Sequence, residues 1–438
     1  MFKTLRNAFK IEEIRKKLIF TFFMLVVVRF GSQLPIPGVN RNYFAEWFAA
    51  QTGDAFNFFD AFTGGSFTSM SLFALGITPY ITSSIIMQLL TIAIPKLEEM
   101  QKDGEDGRKK IQTISRYLTV ALALIEGIAM TIGFGNKGLL EQANVPNMIV
   151  VVAAMTAGSA FLMWIGEQIT EHGVGNGISI VLLINIVSRI PDDFVVLYNQ
   201  FINGKTILTG VLAGVVILAV VLVTVVFVIV LQDAERRIPV QYAKKMQGRK
   251  MVGGQSTNIP LKVNTAGVIP VIFASSLMSF PGVIASLLGK TGGTGIGAKI
   301  LTGLNQSSWC NPNQPVYSIG LLLYIVLVVF FAYFYTSITF NPIEISNNMK
   351  RQGGFIPGIR PGKPTTEYLS KILNYIVFIG AIGLIIVCVI PIVFNGIFGA
   401  DVSFGGTSII IIVGVVLETL KQIESQMLVR YYKGFLND

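Results

Sequence analysis

Ten stretches of this chain are apolar over about 17–25 residues, the length of an α-helix that crosses the hydrocarbon core of a bilayer. Of the 438 residues, 52% are hydrophobic and 13% are charged, whereas soluble domains carry about 25% charged residues. This composition excludes a soluble enzyme, a disordered chain and a nucleic-acid-binding module, and it predicts an all-α multi-pass membrane protein. The stretches lie at about 18–34, 72–94, 115–135, 147–168, 178–197, 207–231, 266–288, 316–338, 370–394 and 404–424.

The basic residues are distributed unevenly among the segments that connect these stretches. If successive connections alternate between the two sides of a membrane, 27 of the 34 Lys and Arg residues fall on one side. Because Lys and Arg favour the cytoplasmic side of short loops, that side is predicted to be cytoplasmic. We therefore expect ten spanning helices in the cell membrane with both termini in the cytoplasm. The first stretch lacks a cleavage site of small residues, so we expect it to be retained.

The second and seventh stretches share a motif. The pattern G-x-x-P-x-I-x-x-S begins at Gly76 in one and at Gly267 in the other. Five spans per half is an odd number, so a repeated second half would be inverted relative to the first, with the functional pathway at the interface of the halves. The sequence thus predicts two inverted five-helix halves, residues 1–200 and 201–438.

These two stretches also carry Ser, Thr, Gln and Pro within apolar sequence. Polar atoms that face lipid are unfavourable, so these helix faces are expected to meet protein or water. The alternative is that the hydroxyl groups bond to their own backbone or hold neighbouring helices together.

Two long basic connections, residues 232–265 and 339–369, lie on the predicted cytoplasmic side. Short turns would be enough to set orientation, so their length favours a docking surface for a partner. A third segment, residues 55–71, is rich in Phe, lacks Lys and Arg and is interrupted by Gly64 and Gly65. It cannot span a membrane, and it is expected either to lie flat at the interface or to fold back into the protein.

The chain offers little to a catalytic or metal site. It has one histidine and two cysteines, Cys310 and Cys388, which excludes a zinc cluster, a haem pair and a disulfide framework. We expect no cofactor, no metal and no enzymatic activity. Ion-coupled carriers need ionisable groups near the membrane midplane, and Arg29, Glu126 and Glu418 are the main candidates.

Several strings in this chain, in this order, resemble the SecY family, the central subunit of the Sec protein-conducting channel. They are FALGITPYI at 73–81, GVGNGIS at 173–179, ERRIPVQYAKK at 235–245, QSTNIPLKVN at 255–264, GGFIPGIRPG at 353–362 and FGGTS at 404–408. The resemblance covers essentially the whole chain. It implies ten helices in two inverted halves that form a clamshell around an hourglass pore.

The resemblance also implies roles for individual residues. A short re-entrant plug helix would lie at about 55–69, which favours the second of the two alternatives for that segment, and it would include Phe62, Thr63, Gly64, Gly65 and Ser66. A lateral gate between the second and seventh helices would include Thr82, Gln88, Ser275 and Phe280. An apolar pore ring, which would grip the passing chain without chemical preference, would consist of Ile77, Ile81, Ile178, Leu182, Ile272 and Ile411.

The two basic connections resemble the family's docking site for the SecA motor ATPase and for ribosomes, with Arg360, Arg249 and Lys250 as the predicted contacts. The resemblance further implies the small membrane subunits SecE and SecG as partners. It also implies contact with signal sequences, unfolded precursor proteins and membrane lipid. The predicted function is a passive, gated channel that moves unfolded polypeptide across the membrane. An ion-coupled secondary solute transporter is the alternative.

Overall fold

The structure is a computed structural model that describes residues 6, 8–50, 60, 62–135, 138, 140, 142, 144–203, 207–242, 245–247, 250–252, 256–287, 296–305, 308–310, 315–398 and 406–434. Most of these residues are helical. In chain order the helices are α1 (Glu12–Gly31), α2 (Arg41–Ala50), α3 (Thr78–Ala93), α4 (Pro95–Lys102), α5 (Glu105–Phe134), α6 (Val145–His172), α7 (Gly177–Leu197), α8 (Ile207–Asp233), α9 (Ile269–Leu287), α10 (Ile296–Leu304), α11 (Ile319–Thr339), α12 (Pro342–Arg351), α13 (Lys363–Phe398) and α14 (Gly406–Gly434).

A helix occupies each of the ten apolar stretches. Five described segments, which include α5, α6, α11 and most of α8 and α13, are long and apolar enough to cross a bilayer. The pair α3 and α4, bent by 102° at its break, is a sixth candidate. The structure therefore gives a mostly helical protein with at least five candidate spans, and the full set of ten stays a prediction.

One pattern of helix neighbours occurs twice along the chain. In residues 1–200, α3 packs on α5, α5 on α6 and α6 on α7, while α1 contacts both α6 and α7. In residues 201–438, α9 packs on α11, α11 on α13 and α13 on α14, while α8 contacts both α13 and α14. The two sets of helices meet where α7 packs on α14 and where α5 packs on α9.

The helices that carry the repeated motif also begin in the same way. Gly76 and Gly267 have φ angles of +59° and +63°, a left-handed conformation that glycine adopts without strain. In both cases the helix begins two residues after the glycine, with proline in its first turn, where a missing N–H does no harm. The predicted start of the second span at residue 72 is therefore too early, because residues 72–77 form turns and α3 begins at Thr78.

The two long connections contain strands, which corrects the prediction of an all-α chain. The first connection holds β1 (Glu235–Tyr242), β2 (Lys245–Gln247), β3 (Lys250–Val252) and β4 (Ser256–Lys262), and the second holds β5 (Gly354–Phe355). β1 pairs antiparallel with both β4 and β5, so a hydrogen-bonded sheet joins the two connections. Ile238 and Val240 of β1 are buried between exposed neighbours, the alternation that suits a strand with one covered face.

The covered face of this sheet packs on a small hydrophobic core. Its buried members come from β1, β4, α12, the residue after β5 and the start of α13. We refer to β1, β4, β5, α12 and the start of α13 as the sheet unit. The core consists of Ile238, Val240, Leu261, Met349, Ile356, Leu369 and Ile376.

We expect Gly158→Ala to destabilise the fold. A Cβ atom at Gly158 of α6 would lie 1.9 Å from the carbonyl oxygen of Leu72, and backbone cannot retreat as a flexible side chain can. Overpacking of this kind lowers the free energy of unfolding by about 1–3 kcal/mol, measurable as a lower melting temperature of the purified chain in detergent.

Gly214→Ala in α8 is the matched control, because the nearest atom to its added Cβ is 3.6 Å away. Its melting temperature should be unchanged or higher, since alanine favours helix by up to about 1 kcal/mol over glycine. Equal melting temperatures for the Gly158 variant and the unchanged chain would contradict the close approach of α6 to residue 72.

Candidate functional site

One hydrophobic cluster contains all six residues predicted for the pore ring. Ile77, Leu182 and Ile411 are buried members, and Ile81, Ile178 and Ile272 pack against it half-buried. We call this the waist cluster. Its buried side chains are those of Val28, Phe62, Phe73, Ile77, Leu162, Ile165, Ile169, Ile180, Val181, Leu182, Ile186, Ile411 and Val415.

The six predicted ring residues come from both sets of helices. α3 and the residue before it, together with α7, supply four of them from residues 1–200, and α9 and α14 supply one each from residues 201–438. Ile178 and Leu182 are four residues apart, so they lie on one face of α7. The start of α7 is fixed by the side chain of Asn176, which accepts hydrogen bonds from the N–H groups of Ile178 and Ser179. The helices of both sets thus present branched apolar side chains to one another.

Residues 60 and 62–71, which we call the fold-back segment, are mostly buried and pack against the waist cluster through Phe62. Phe62 belongs to that cluster, and Thr63, Ser66 and Met70 are 2% exposed or less. Gly64 and Gly65 have φ angles of +66° and +83°, which produce the turn there. Residues 55–59 and 61 of the predicted plug lie outside the described residues. The burial of the rest favours folding back over lying flat at a membrane interface.

Polar side chains from three helices hold the fold-back segment in place. Arg29 of α1 donates to the carbonyl of Gly64 (3.4 Å), Asn185 of α7 donates to that of Phe62 (3.2 Å), and Arg41 of α2 donates to that of Ser69 (2.8 Å). Arg189 of α7 forms an ion pair with the fully buried Asp60. The backbone of this segment, which consists mostly of turns, therefore has partners within the protein, as a membrane protein requires.

The residues predicted for the lateral gate lie on α3 and α9. Thr82 donates to the carbonyl of Thr78 in its own helix (3.1 Å), and the buried Ser275 donates to the hydroxyl of Tyr324 in α11 (3.4 Å). These bonds match the alternative in which the hydroxyl groups satisfy helix backbone or a neighbouring helix. Gln88 is exposed, and the side chain of Phe280 lies outside the described residues.

A narrow crevice separates α3 from α9 and α11 near Gln88. Aromatic side chains of α9 and α11 form one wall, and α3 forms the other. Phe273 and Phe331 stack across α9 and α11 with ring centroids 5.1 Å apart. The crevice is lined by Ile85, Gln88, Leu89, Phe273, Phe331, Phe334, Tyr335 and Ile338.

Of the residues predicted for docking, Arg360 is exposed, between β5 and α13, and its carbonyl accepts a hydrogen bond from the hydroxyl of Thr365 (2.9 Å). Arg249 and the side chain of Lys250 lie outside the described residues. The three ionisable candidates for a carrier are not brought together, since Arg29 binds the fold-back segment, Glu126 is half-buried in α5 and Glu418 is exposed on α14. The described residues contain no group of His, Cys, Asp or Glu side chains that could hold a metal ion.

Sequence reasoning missed two features of this site. The buried Ser83 of α3 donates to the carbonyl of Ser115 in α5 (2.7 Å) and so ties the gate helix to its neighbour. The partnership of Asp60 with Arg189 was also missed. The sequence did indicate that Asp60 has a partner, because an acidic residue in a Phe-rich buried segment requires a basic partner elsewhere.

One apolar cluster shared by two similarly packed sets of helices, together with at least five candidate spans, indicates a polytopic membrane protein. Comparison with known proteins identifies the family. The family model for SecY matches residues 71–420, and the chain is 43% identical to the protein translocase subunit SecY of Halalkalibacterium halodurans and 42% identical to that of Bacillus subtilis, each over 100% of both chains. The chain belongs to the SecY family, as its motifs predicted.

Solved structures show the same fold. A protein-conducting channel covers 94% of this chain and 93% of its own, with a TM-score of 0.62 and 19% identity. Sec61 from a canine ribosome–channel complex covers 94% and 93%, with a TM-score of 0.59 and 18% identity.

We expect Gly64→Ala to displace the fold-back segment. An added Cβ would lie 2.9 Å from backbone atoms of Asn185 and from the guanidinium of Arg29, and the φ of +66° would be strained by roughly 1–2 kcal/mol. Ion leak through resting vesicles that contain the chain should rise roughly tenfold for each 1.4 kcal/mol lost.

Gly65→Ala separates the effect of backbone strain from the effect of a steric clash at the added Cβ. Its φ of +83° imposes similar strain, but the nearest atom to its added Cβ is 3.8 Å away. Gly65→Ala should therefore leak less than Gly64→Ala. Equal leaks in the two variants would show that contact with Asn185 and Arg29 does not hold this segment.

Proposed function

We propose that the chain forms a gated channel through which unfolded polypeptides cross the cell membrane, and from which hydrophobic segments pass sideways into lipid. Its relatives are named as the translocase subunit SecY, which is a channel component and not an enzyme. The observation that carries the proposal is the waist cluster, in which both sets of helices contribute to one apolar contact. The transporter alternative has no support from these relatives.

The waist cluster acts as a seal that does not recognise sequence. Branched apolar side chains attract neither water nor ions, so a narrow ring of them closes a pore by dewetting. The same side chains contact any extended polypeptide through dispersion, without a required polar partner. Ile77, Leu182 and Ile411 are 1%, 6% and 1% exposed, which suits the closed state of such a ring.

The fold-back segment acts as a plug that backs the ring. Phe62 belongs to the same hydrophobic cluster as the ring side chains, and the backbone of the segment is bound by α1, α2 and α7. These contacts can exchange for water when the segment leaves, because they are hydrogen bonds to carbonyl groups and one ion pair. The plug is thus a two-state element whose equilibrium ligands can shift.

The crevice between α3 and the pair α9 and α11 is the proposed lateral gate. Its apolar walls can receive an apolar signal sequence, and Gln88 offers a polar group to water when the seam parts. Parting of this seam lets a hydrophobic segment move from the pore into lipid. The signal sequence therefore biases the channel towards its open state by binding that state better.

The architecture we propose is ten spanning helices in two inverted halves, residues 1–200 and 201–438, that open like a clamshell. The repeated helix neighbours and the repeated start of α3 and α9 support two related halves. The uneven distribution of Lys and Arg supports a cytoplasmic location for both termini and for the sheet unit.

The sheet unit is the proposed docking surface for SecA and for ribosomes, which supply the energy for translocation. Arg360 is exposed beside the strand that joins the two connections. The channel structures similar to this chain include Sec61 in a ribosome–channel complex and the yeast Ssh1 complex bound to the 80S ribosome. SecE and SecG are the proposed small membrane partners. Ribosomal RNA is a polyanion, so contacts through Lys and Arg should weaken as salt rises.

We expect Arg360→Glu to abolish secretion driven by the motor while leaving the amount of the chain in the membrane unchanged. The substitution reverses a charge on an exposed side chain outside the hydrophobic cores, so it removes a contact without unfolding the protein. Secretion of a precursor into membrane vesicles with the motor and ATP measures the effect.

Lys299→Glu in α10 is the matched control, because it makes the same charge change at an exposed residue on the predicted outer side. It should secrete normally. Normal secretion by Arg360→Glu would refute the docking assignment.

We expect a disulfide across the lateral gate to stop translocation. Gln88→Cys and Phe273→Cys would link α3 to α9 across the crevice, after the native thiols are removed by Cys310→Ser and Cys388→Ala. Oxidation should block passage of precursor, and a reductant should restore it.

Phe273→Cys with Phe331→Cys is the control pair, since it links α9 to α11 on one side of the crevice. This link should form and leave translocation unaffected. If the α3–α9 link forms completely and precursor still passes, the seam does not need to open.

A further inference from the structure

We infer that the ion pair between Asp60 and Arg189 is the latch that keeps the plug closed, and that opening of the channel requires this pair to break. The inference rests on the proposed function and adds the residues that position the plug. Asp60 lies in the segment that moves, and Arg189 lies on α7, which frames the pore ring.

The carboxylate of Asp60 is held at both oxygens. Its Oδ1 accepts hydrogen bonds from the N–H and the hydroxyl of Thr68, both at 3.0 Å, which fixes the turn within the plug. Its Oδ2 forms the ion pair with Nη1 of Arg189 and accepts no hydrogen bond from the described residues. Asp60 is fully buried, and a buried carboxylate is strongly unfavourable without a compensating charge. Arg189 supplies that charge.

The ion pair differs in kind from the other polar contacts of the plug. Arg29, Arg41 and Asn185 bind backbone carbonyls, which any sequence would offer at those places. The contact with Arg189 depends on the side chain at position 60. It therefore ties this particular segment to α7, one helical turn beyond the bond from Asn185 to Phe62.

Water makes the latch responsive to the state of the pore. While the waist is closed, Asp60 is fully buried and Arg189 is only partly exposed, so the pair attracts at an effective dielectric constant below that of water. When water reaches it, the effective constant rises from about 20 to about 80 and the attraction falls about fourfold. The same water solvates both separated charges. The pair thus favours the closed plug while the pore is dry and loses most of that preference once the pore is wet.

The latch also orders the steps of opening. The four side chains that hold the plug all precede residue 190, so the plug is bound to the first half of the chain. Separation of the halves would withdraw Ile272 and Ile411, which come from the second half, from the waist cluster but would leave these bonds in place. Release of the plug is then a second step, which begins when water enters the parted waist.

The test uses the full-length chain, purified with its small membrane subunits and placed in vesicles of phosphatidylethanolamine and phosphatidylglycerol. The variants are Arg189→Gln, Asp60→Asn and the double substitution, and the measurements are resting ion leak and translocation of a precursor with an intact signal sequence. Arg189→Gln leaves a buried carboxylate unpaired, so its leak should rise at least about tenfold, which corresponds to about 1.4 kcal/mol.

The double variant distinguishes a latch from a general packing defect. It removes both charges, so it should leak less than Arg189→Gln, although it carries one more substitution. Asp60→Asn, which is nearly isosteric and keeps the acceptor for Thr68, loses the ion pair and should leak more than the unchanged chain. It should leak less than Arg189→Gln, because Arg189 is 23% exposed and can be hydrated. Lys16→Gln, which breaks the exposed pair of Lys16 with Glu12, should not leak.

Two results would overturn the latch. One is an Arg189→Gln variant as tight as the unchanged chain, and the other is a double variant whose leak is the product of the two single effects. If Arg189→Gln does not reach the membrane, Asp60→Asn takes its place in the first comparison. An Asp60→Asn variant as tight as the unchanged chain then overturns the latch. Failure of the unchanged chain to translocate precursor would instead refute the proposed function, so the two failures are separate.

Discussion

A backbone carbonyl or N–H group inside a bilayer must have a hydrogen-bond partner from the protein, and this constraint governs the whole structure. Helices meet it internally, which is why apolar runs become helices here. The fold-back segment cannot, because its glycine turn leaves carbonyl groups without helical partners. Arg29, Arg41 and Asn185 bind three of those carbonyls, so polar side chains on otherwise apolar helices have a structural reason. A segment of turns enclosed by membrane helices therefore needs such side chains around it.

The same constraint explains which parts of the fold the sequence could predict. An apolar helix is specified by its own residues, so each stretch predicted from composition and length holds a helix, and at least five of these helices are candidate spans. The start of α3 was misplaced because the turn at Gly76 follows from local backbone geometry that hydropathy does not record. The sheet between β1 and β5 was missed because it pairs residues more than a hundred positions apart, and a two-residue strand has no periodicity to detect.

In the candidate site too, the sequence could place some residues and not others. The ring residues could be placed through motif resemblance, and the structure brings all six into one cluster, although their role as a ring stays a prediction. The residues of the predicted gate were harder to interpret, since Thr82 bonds within its own helix and Ser275 bonds to Tyr324 of the neighbouring helix α11. Pairings such as Asp60 with Arg189 depend on how distant helices pack, which one sequence does not specify.

The strand pairing between β1 and β5 has a mechanical consequence. Gln241 and Tyr242 pair in register with Phe355 and Gly354, β1 begins two residues after α8 ends, and β5 lies between α12 and α13. A force applied to the sheet unit would therefore reach α8 and α13 together, because the strand hydrogen bonds and the small hydrophobic core join the two connections. Load placed on either connection would be transmitted to both helices instead of being absorbed by one flexible loop.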